Sequence, residues 1–257
     1  MKQNSEKISF SIISHNQQKI ALDTIFSVRN YFSNAHFIVT LNTDEDGPLR
    51  DLKDKDITFI LNTKPKGFSE NHNFAFEKCS NEIFCVLNPD IEISSMIQGF
   101  TLSSFFELGY SFFSPKITEG FAPSDSLRNF PSLKNFISRF VGRKKDIEVN
   151  FNHGQKFDWV SGACIFFKKS AFTALNGFDQ QFFMYCEDID ICRRAALISM
   201  RFCCSDALVL EHKSQRKSRK DLYLFLKHLE SSVRILLRLR LFKEKVKAGI
   251  FISSKQI

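Results

Sequence analysis

The chain is poor in tryptophan and has no paired-cysteine motif. Trp159 is its single tryptophan among 257 residues, against 30 phenylalanines. Aromatic bulk therefore comes from a side chain without a polar atom, which favours a thick apolar core and names no activity. Seven cysteines are an odd number, and none stand as C-x-x-C. That excludes a simple disulfide framework and reads as reduced thiols, with Cys79, Cys85, Cys164 and Cys192 in apolar patterns. Cys203–Cys204 could hold a metal, but adjacent cysteines inside a strand pattern more often pack. The opening "MKQNSEKISFSIIS" lacks a long apolar stretch, so no signal peptide is expected. No run approaches the roughly 20 apolar residues of a spanning helix. A cytoplasmic protein is expected, soluble or peripheral on a membrane face. Repeats and low-complexity segments are missing too, and 43% hydrophobic with 25% charged residues excludes global disorder.

Charge of one sign is concentrated late in the chain. Residues 212–247 hold twelve lysines and arginines against three acids, Asp221, Glu230 and Glu244, for a net charge of +9. Residues 1–211 carry 23 basic and 25 acidic residues, a net of −2. Such a tail suits an anionic surface, membrane or nucleic acid. Nucleic acid is disfavoured because no strand pattern mixes aromatic with basic residues.

Short apolar runs alternate with helical patterns in the first half. Strands are expected at 8–13, 36–41, 57–61 and 82–87, with helices at 19–32 and 73–79. This alternation points to a parallel sheet covered on both faces, with ligands beyond the strands' carboxyl ends. The segments just after the strands, "SHN" (14–16), "NTDED" (42–46), "NTKPKGF" (62–68) and "NPD" (88–90), are therefore the ones to watch. Residues 118–156 read as a surface excursion with a short helix near 132–140. "FDWVSGACIFFKK" returns to a strand pattern. Helices are expected from Ser170, closed by Gly177, and from about Glu187 to Ser199, then strands near 200–204 and 207–210. An amphipathic helix follows over 219–240.

Four segments could carry chemistry. Asp90 stands at a strand's carboxyl edge behind Asn88-Pro89, where a carboxylate can hold Mg²⁺ or Mn²⁺, or simply form a turn. In "NTKPKGFSENHNFAF", Gly67 would allow close backbone approach to a ligand, and Asn71, His72 and Asn73 offer polar groups. The same residues also fit a plain loop with helix caps. In "FFMYCEDIDICRRA", Glu187, Asp188 and Asp190 fall in one helical turn, where the helix dipole tolerates negative charge and Asp190 can pair with Arg194. Large apolar neighbours would desolvate such carboxylates and raise their proton affinity, as a general base requires. His212 follows a strand end, with Arg216 and Arg219 beyond, placed to meet phosphate oxygens or to sit in a solvated basic loop.

In this order, "SIISHN", "PKGFSENHNFAF", "VLNPDIEI", "RNFPS", "DWVSGACIFFKKSAFTALNGFDQQFFMYCEDIDICRR" and "EHKSQRKSRK" resemble bacterial family 2 glycosyltransferases of the rhamnosyltransferase-like branch. The resemblance runs over about 8–236. It implies a GT-A fold, a Rossmann-like mixed sheet covered by helices, in a catalytic domain over 1–218. Residues 219–257 would be a basic helical extension packed on that domain or on a membrane surface. It implies inverting transfer from a nucleotide-diphosphate sugar, with dTDP-rhamnose one candidate, to a glycan or polyprenyl-linked acceptor. Asp188 matches the general base and Glu187 its acidic neighbour. Asp90 matches the last acid of the metal-binding motif, with Asn88 where many members have its first acid. His212 matches a histidine near metal and diphosphate. Ser14, Asn16, Gly67, Asn71 and Arg216 fall in substrate-binding segments. Many members read the nucleotide base with Asp-Asn after the second strand; here the pair is Leu41-Asn42, and Asn42 is the candidate substitute. Trp159 could stack on a sugar or be a core aromatic, Gly162 would leave room for the sugar, and Phe182, Phe183 and Tyr185 would wall it from water. The alternative is a nucleotide-sugar-binding protein without turnover.

Overall fold

The first strand sets the architecture. In β1 (Ile8–Ser14), Ile8, Phe10 and Ile12 point to one face and Ser9 and Ser11 to the other, all within 1% of full burial. A strand covered on both faces lies inside a sheet. A computed structural model describes residues 3–44, 46–50, 52–119, 127–131, 157–213 and 222–247, and it places β1 centrally.

Four parallel strands form one half: β3 (Ile57–Leu61), β2 (Ala35–Leu41), β1 and β4 (Ile83–Leu87). β9 (Cys164–Lys168) continues the sheet antiparallel to β4 and to β6 (Phe112–Thr118). β10 (Phe202–His212) runs parallel to β6, and β5 (Ile91–Met96) closes the edge antiparallel to β10. The order is β3-β2-β1-β4-β9-β6-β10-β5. A separate two-residue ribbon pairs β7 (Leu127–Arg128) with β8 (Trp159–Val160).

Helices α1 (Gln18–Tyr31) and α3 (Leu102–Glu107) bury apolar residues on the Phe10 face. The opposite face is covered by α2 (Phe68–Glu77), α4 (Lys169–Ala174), α5 (Glu187–Leu197) and α6 (Leu222–Lys247). Phenylalanine fills both layers: Phe10 stacks on Phe37, and Phe112 on Phe202 at 4.5 Å.

The expected parallel half is present, and the sheet is mixed because β9 and β5 run the other way. Four elements carry no expectation from sequence: β5, α3, β6 and β7. The two strands expected at 200–204 and 207–210 are one strand, with a register shift between Ser205 and Val209. α2 starts five residues before the expected 73, and α6 runs past 240. The helix expected near 132–140 lies outside the described residues. Cys203 and Cys204 are ordinary members of β10, and every described cysteine is free.

Candidate functional site

β9 does more than extend the sheet. Because it is antiparallel to β4, its amino end lies beside β4's carboxyl end, and the Asn88 N–H donates to the Ala163 carbonyl at 2.9 Å. One residue back, the Gly162 N–H donates to Asp188 Oδ2 at 3.0 Å. A single tight turn, 161–163, thus touches the Asn88-Pro89-Asp90 corner on one side and the acidic helix on the other. A Cβ on Gly162 would lie 3.3 Å from the Asp188 Cβ, so glycine permits this contact.

The start of α5 is held in an unusual way. Tyr185 and Cys186 both adopt left-handed backbone, with φ of 68° and 67°. Two successive non-glycine residues there store strain, which persists only where the surroundings over-determine it. The result aims Glu187 inward and leaves Asp188 partly buried. Burial pushes the Asp188 carboxyl above its ordinary range, against the Gly162 and Ile189 N–H groups and the charge of Arg128. Glu187 is driven well above its range, first by burial and then by the Asp188 charge, and its Oε2 has no hydrogen-bond partner. Of this pair, Asp188 is the less buried.

Asp190 is different. It is fully buried and accepts from Arg193 at 2.9 Å, Arg194 at 2.7 Å and Arg238 of α6 at 2.9 Å. Burial alone would raise its carboxyl; the bonds and charges of Arg194 and Arg193 outweigh that and hold it below the usual range. Arg194 also donates to the carbonyls of Leu175 and Gly177. The expected Asp190–Arg194 pair is therefore one arm of a larger network.

At the carboxyl ends of β4 and β10, His212 Nε2 lies 3.0 Å from Asp90 Oδ1, and its Nδ1 lies 3.7 Å from Glu119. The Lys213 N–H donates to the Asp90 carbonyl and so fixes the corner. Carboxylate oxygen and imidazole nitrogen suit a divalent cation that takes further ligands from phosphate oxygens. Among the described residues no cluster of three or more His, Cys, Asp or Glu is arranged to hold a metal alone. Arg216 and Arg219 lie outside the described residues.

The carboxyl ends of β1–β3 carry an asparagine network. The buried Asn42 Oδ1 accepts from the side chains of Asn62 (2.8 Å) and Asn71 (3.1 Å) and from the Lys66 N–H (2.9 Å). Its amide donates to the Lys66 carbonyl. Asn42 and Asn71 thus brace the loop that leads into α2. Beyond them Leu41, Thr43, Asp44, Arg50, Leu61, Asn62 and Thr63 line an open cavity of ≈ 300 Å³. Ser14 is buried at the end of β1 and accepts from the Gln17 N–H. Asn16, with φ of 57°, accepts from Thr43.

Some aromatic and glycine expectations meet a different geometry. Gly67 does allow a close approach, but to the chain itself: a Cβ would lie 2.3 Å from the Phe183 carbonyl oxygen, which accepts from the Phe68 N–H. Phe182 has no exposed surface and lies under the Arg238 guanidinium at 4.9 Å, so it cannot wall a sugar. Phe183 meets Tyr223, and Tyr185 meets His228, both on α6. Trp159 is 7% exposed, donates to the Asn129 carbonyl and lies beneath Arg128, which leaves little face to offer. His72 is buried against Ser11 at 2.7 Å, and burial lowers its pKa to about 3, so it is neutral scaffold. Arg128 and Glu119 were not singled out. Arg128 sits in the quoted "RNFPS" piece, whereas Glu119 directly follows β6, for which no strand is expected from sequence.

A family model described as glycosyl transferase family 2 matches residues 9–174. The chain belongs to that family. It is 30% identical over 194 residues to the rhamnosyltransferase WbbL of Escherichia coli (strain K12), covering 70% of this chain and 73% of that relative. Over 64 residues it is 39% identical to the N-acetylglucosaminyl-diphospho-decaprenol L-rhamnosyltransferase of Mycobacterium tuberculosis (strain CDC 1551 / Oshkosh), 24% of this chain and 20% of that one. The fold matches a crystal structure of GalNAc-T7 with UDP, GalNAc and Mn²⁺, at a TM-score of 0.61 and 12% identity, covering 82% of this chain and 44% of that one. The sheet is that of GT-A glycosyltransferases, as the resemblance implied.

Proposed function

We propose that this family 2 chain transfers a sugar, with inversion, from a nucleotide-diphosphate donor to a hydroxyl of a glycan or lipid-linked acceptor in cell-surface polysaccharide assembly. The observation that carries the reading is the shared turn. Through Gly162 and Ala163, a carboxylate of raised proton affinity and the Asp90–His212 corner meet at one end of the sheet. Displacement at an anomeric carbon needs a base on the incoming hydroxyl and charge stabilisation on the departing diphosphate, on opposite sides of the sugar.

Asp188 takes the acceptor proton, with Glu187 kept protonated behind it. Asp90 and His212, with Arg216 from outside the described residues, serve the diphosphate side. Asp90 and His212 would hold Mg²⁺ or Mn²⁺ there, and such an ion would neutralise charge developing on the leaving group. The cavity beyond Asn42 takes the nucleotide base, with Asn42 and Asn71 shaping rather than reading it. Ser14, Asn16 and Asn88 border the donor, and Gly162 the sugar. Rhamnose is favoured because the E. coli relative is named a rhamnosyltransferase. Residues 1–218 form the catalytic unit and 219–257 an extension to it, and the protein works in the cytoplasm. A binding protein without turnover would have dispensed with one of the two acids, and both are in place.

The test is release of nucleoside diphosphate from a panel of nucleotide sugars with Mg²⁺ or Mn²⁺. Asp188→Asn and Asp90→Asn should each lower turnover by about 10²-fold or more. Turnover like wild type in both variants would refute the assignment.

A further inference from the structure

Helix α6 is apolar on two sides, and among the described residues only one is buried. Its inner face buries Ser231, Ser232, Ile235 and Leu239 against the body of the protein. The opposite arc carries Leu226, Val233 and Leu237, exposed by 54%, 52% and 60%, flanked by Tyr223, Leu241, Phe225 and Leu229. Seven of the thirteen large apolar side chains exposed among the described residues belong to this one helix. A helix apolar all round is ordinarily buried all round, and an exposed patch of this kind marks an interaction site.

We infer that the outward face of α6 docks along the surface of an anionic lipid bilayer. Charge selects this occupant. Residues 222–247 carry seven basic and two acidic residues, a net charge of +5, so pairing two copies through this helix would bring like charges together, whereas anionic headgroups complement them. Glu230, at the edge of the arc, is bridged by Lys227 and Arg234 and so offers no free negative charge to lipid. Nucleic acid would meet the cations but leave the leucines in water. No helix among the described residues is long and apolar enough to cross a membrane; 26 residues lying flat reach about 39 Å along the surface.

The same helix grips the catalytic face. Ser231 donates to the Met184 carbonyl, Arg234 to the Gln181 carbonyl, and Arg238 to Asp190. Docking would therefore set the loop before Asp188 close to the bilayer, where a lipid-linked acceptor is found. The surface itself does not rest on the proposed transfer, and its test reads no activity.

The full chain should sediment with vesicles containing about a third phosphatidylglycerol, roughly tenfold or more better than with pure phosphatidylcholine, and less at about 0.5 M salt. The double variant Val233→Glu/Leu237→Glu should lose about tenfold in vesicle binding while melting and eluting from a sizing column like wild type. Leu237→Trp, which keeps the face apolar, should show blue-shifted emission on the anionic vesicles, and this reports on the surface even if the double variant misfolds. Three results would overturn the inference: no binding to anionic vesicles, a wild-type dimer that the double variant converts to monomer, or salt-dependent binding to oligonucleotides with none to vesicles.

Discussion

Replacing Asp190 by asparagine should unfold this protein at a markedly lower temperature, although the residue touches no substrate. Asn is isosteric but neutral, and it leaves three arginines around a site with no exposed surface. Two of them, Arg193 and Arg194, lie on the same helix with side chains only 13% and 22% exposed, so their charges would stay largely buried beside it. Removing one partner from a buried ionic network costs about 3–5 kcal/mol. For a chain of this size each kcal/mol shifts the melting temperature by about 2–4 °C, so the expected fall is roughly 6–20 °C. The pH dependence has a definite sign. The folded carboxyl titrates below its ordinary value, so its contribution is present above the unfolded pKa and is lost as pH falls through the folded one. Wild type and Asp190→Asn should therefore converge as pH drops through the acid range. Arg238→Met, paired with Asp190→Asn in a double-mutant cycle, would show how much of the cost runs through α6. Calorimetry or thermal circular dichroism at neutral pH decides the matter. A variant melting within about 2 °C of wild type would show that the arginines find other partners and that the network does not hold the acidic helix.

Other perturbations probe the neighbouring groups. Glu187→Gln reproduces the neutral form that burial enforces. Wild type should lose stability as pH rises from the ordinary glutamate range through the raised folded pKa, by up to about 1.4 kcal/mol per pH unit; urea unfolding of the variant should show a shallower slope, and an unchanged slope would mean that Glu187 is ionised. Gly162→Ala places a Cβ 3.3 Å from that of Asp188, so kcat/KM should fall by roughly tenfold with little change in melting temperature; the reverse pattern would make the turn a packing device only. Gly67→Ala meets the Phe183 carbonyl at 2.3 Å, and the cost should be about 1–3 kcal/mol or more in chemical denaturation. A fully stable alanine variant would mean that the contact relaxes freely.

What the sequence made legible follows from range. β1 to β4 were readable because each is a short apolar run, with β1, β2 and β4 buried on both faces, and the residues after them lie where a parallel sheet exposes its ligand-facing end. The start of α5 was readable at Glu187 because three acids in one turn have a local electrostatic reason to be there. β5 and β6 were not, because "IEISSM" and "FFSPKIT" are half polar or interrupted by Pro115, and they become strands only by pairing with β10 and β9. For the same reason Glu119, at the end of β6, carried no signal before the sheet was assembled.

The aromatic run before the acids was misjudged for a related cause. From sequence, Phe182 and its neighbours seemed free to face a ligand, because nothing local says that a helix forty residues later will pack on them. Once α6 is in place, Phe182 lies under Arg238, whose guanidinium bonds Asp190, and Phe183 and Tyr185 meet Tyr223 and His228. The segment that looked like a pocket wall is the inner half of an interface whose outer half, on the far side of the same helix, is still apolar. The acids tolerate so much greasy surface because α6 supplies both a lid for the rings and a cation for the buried carboxylate. That leaves Asp188, alone of the three, incompletely buried.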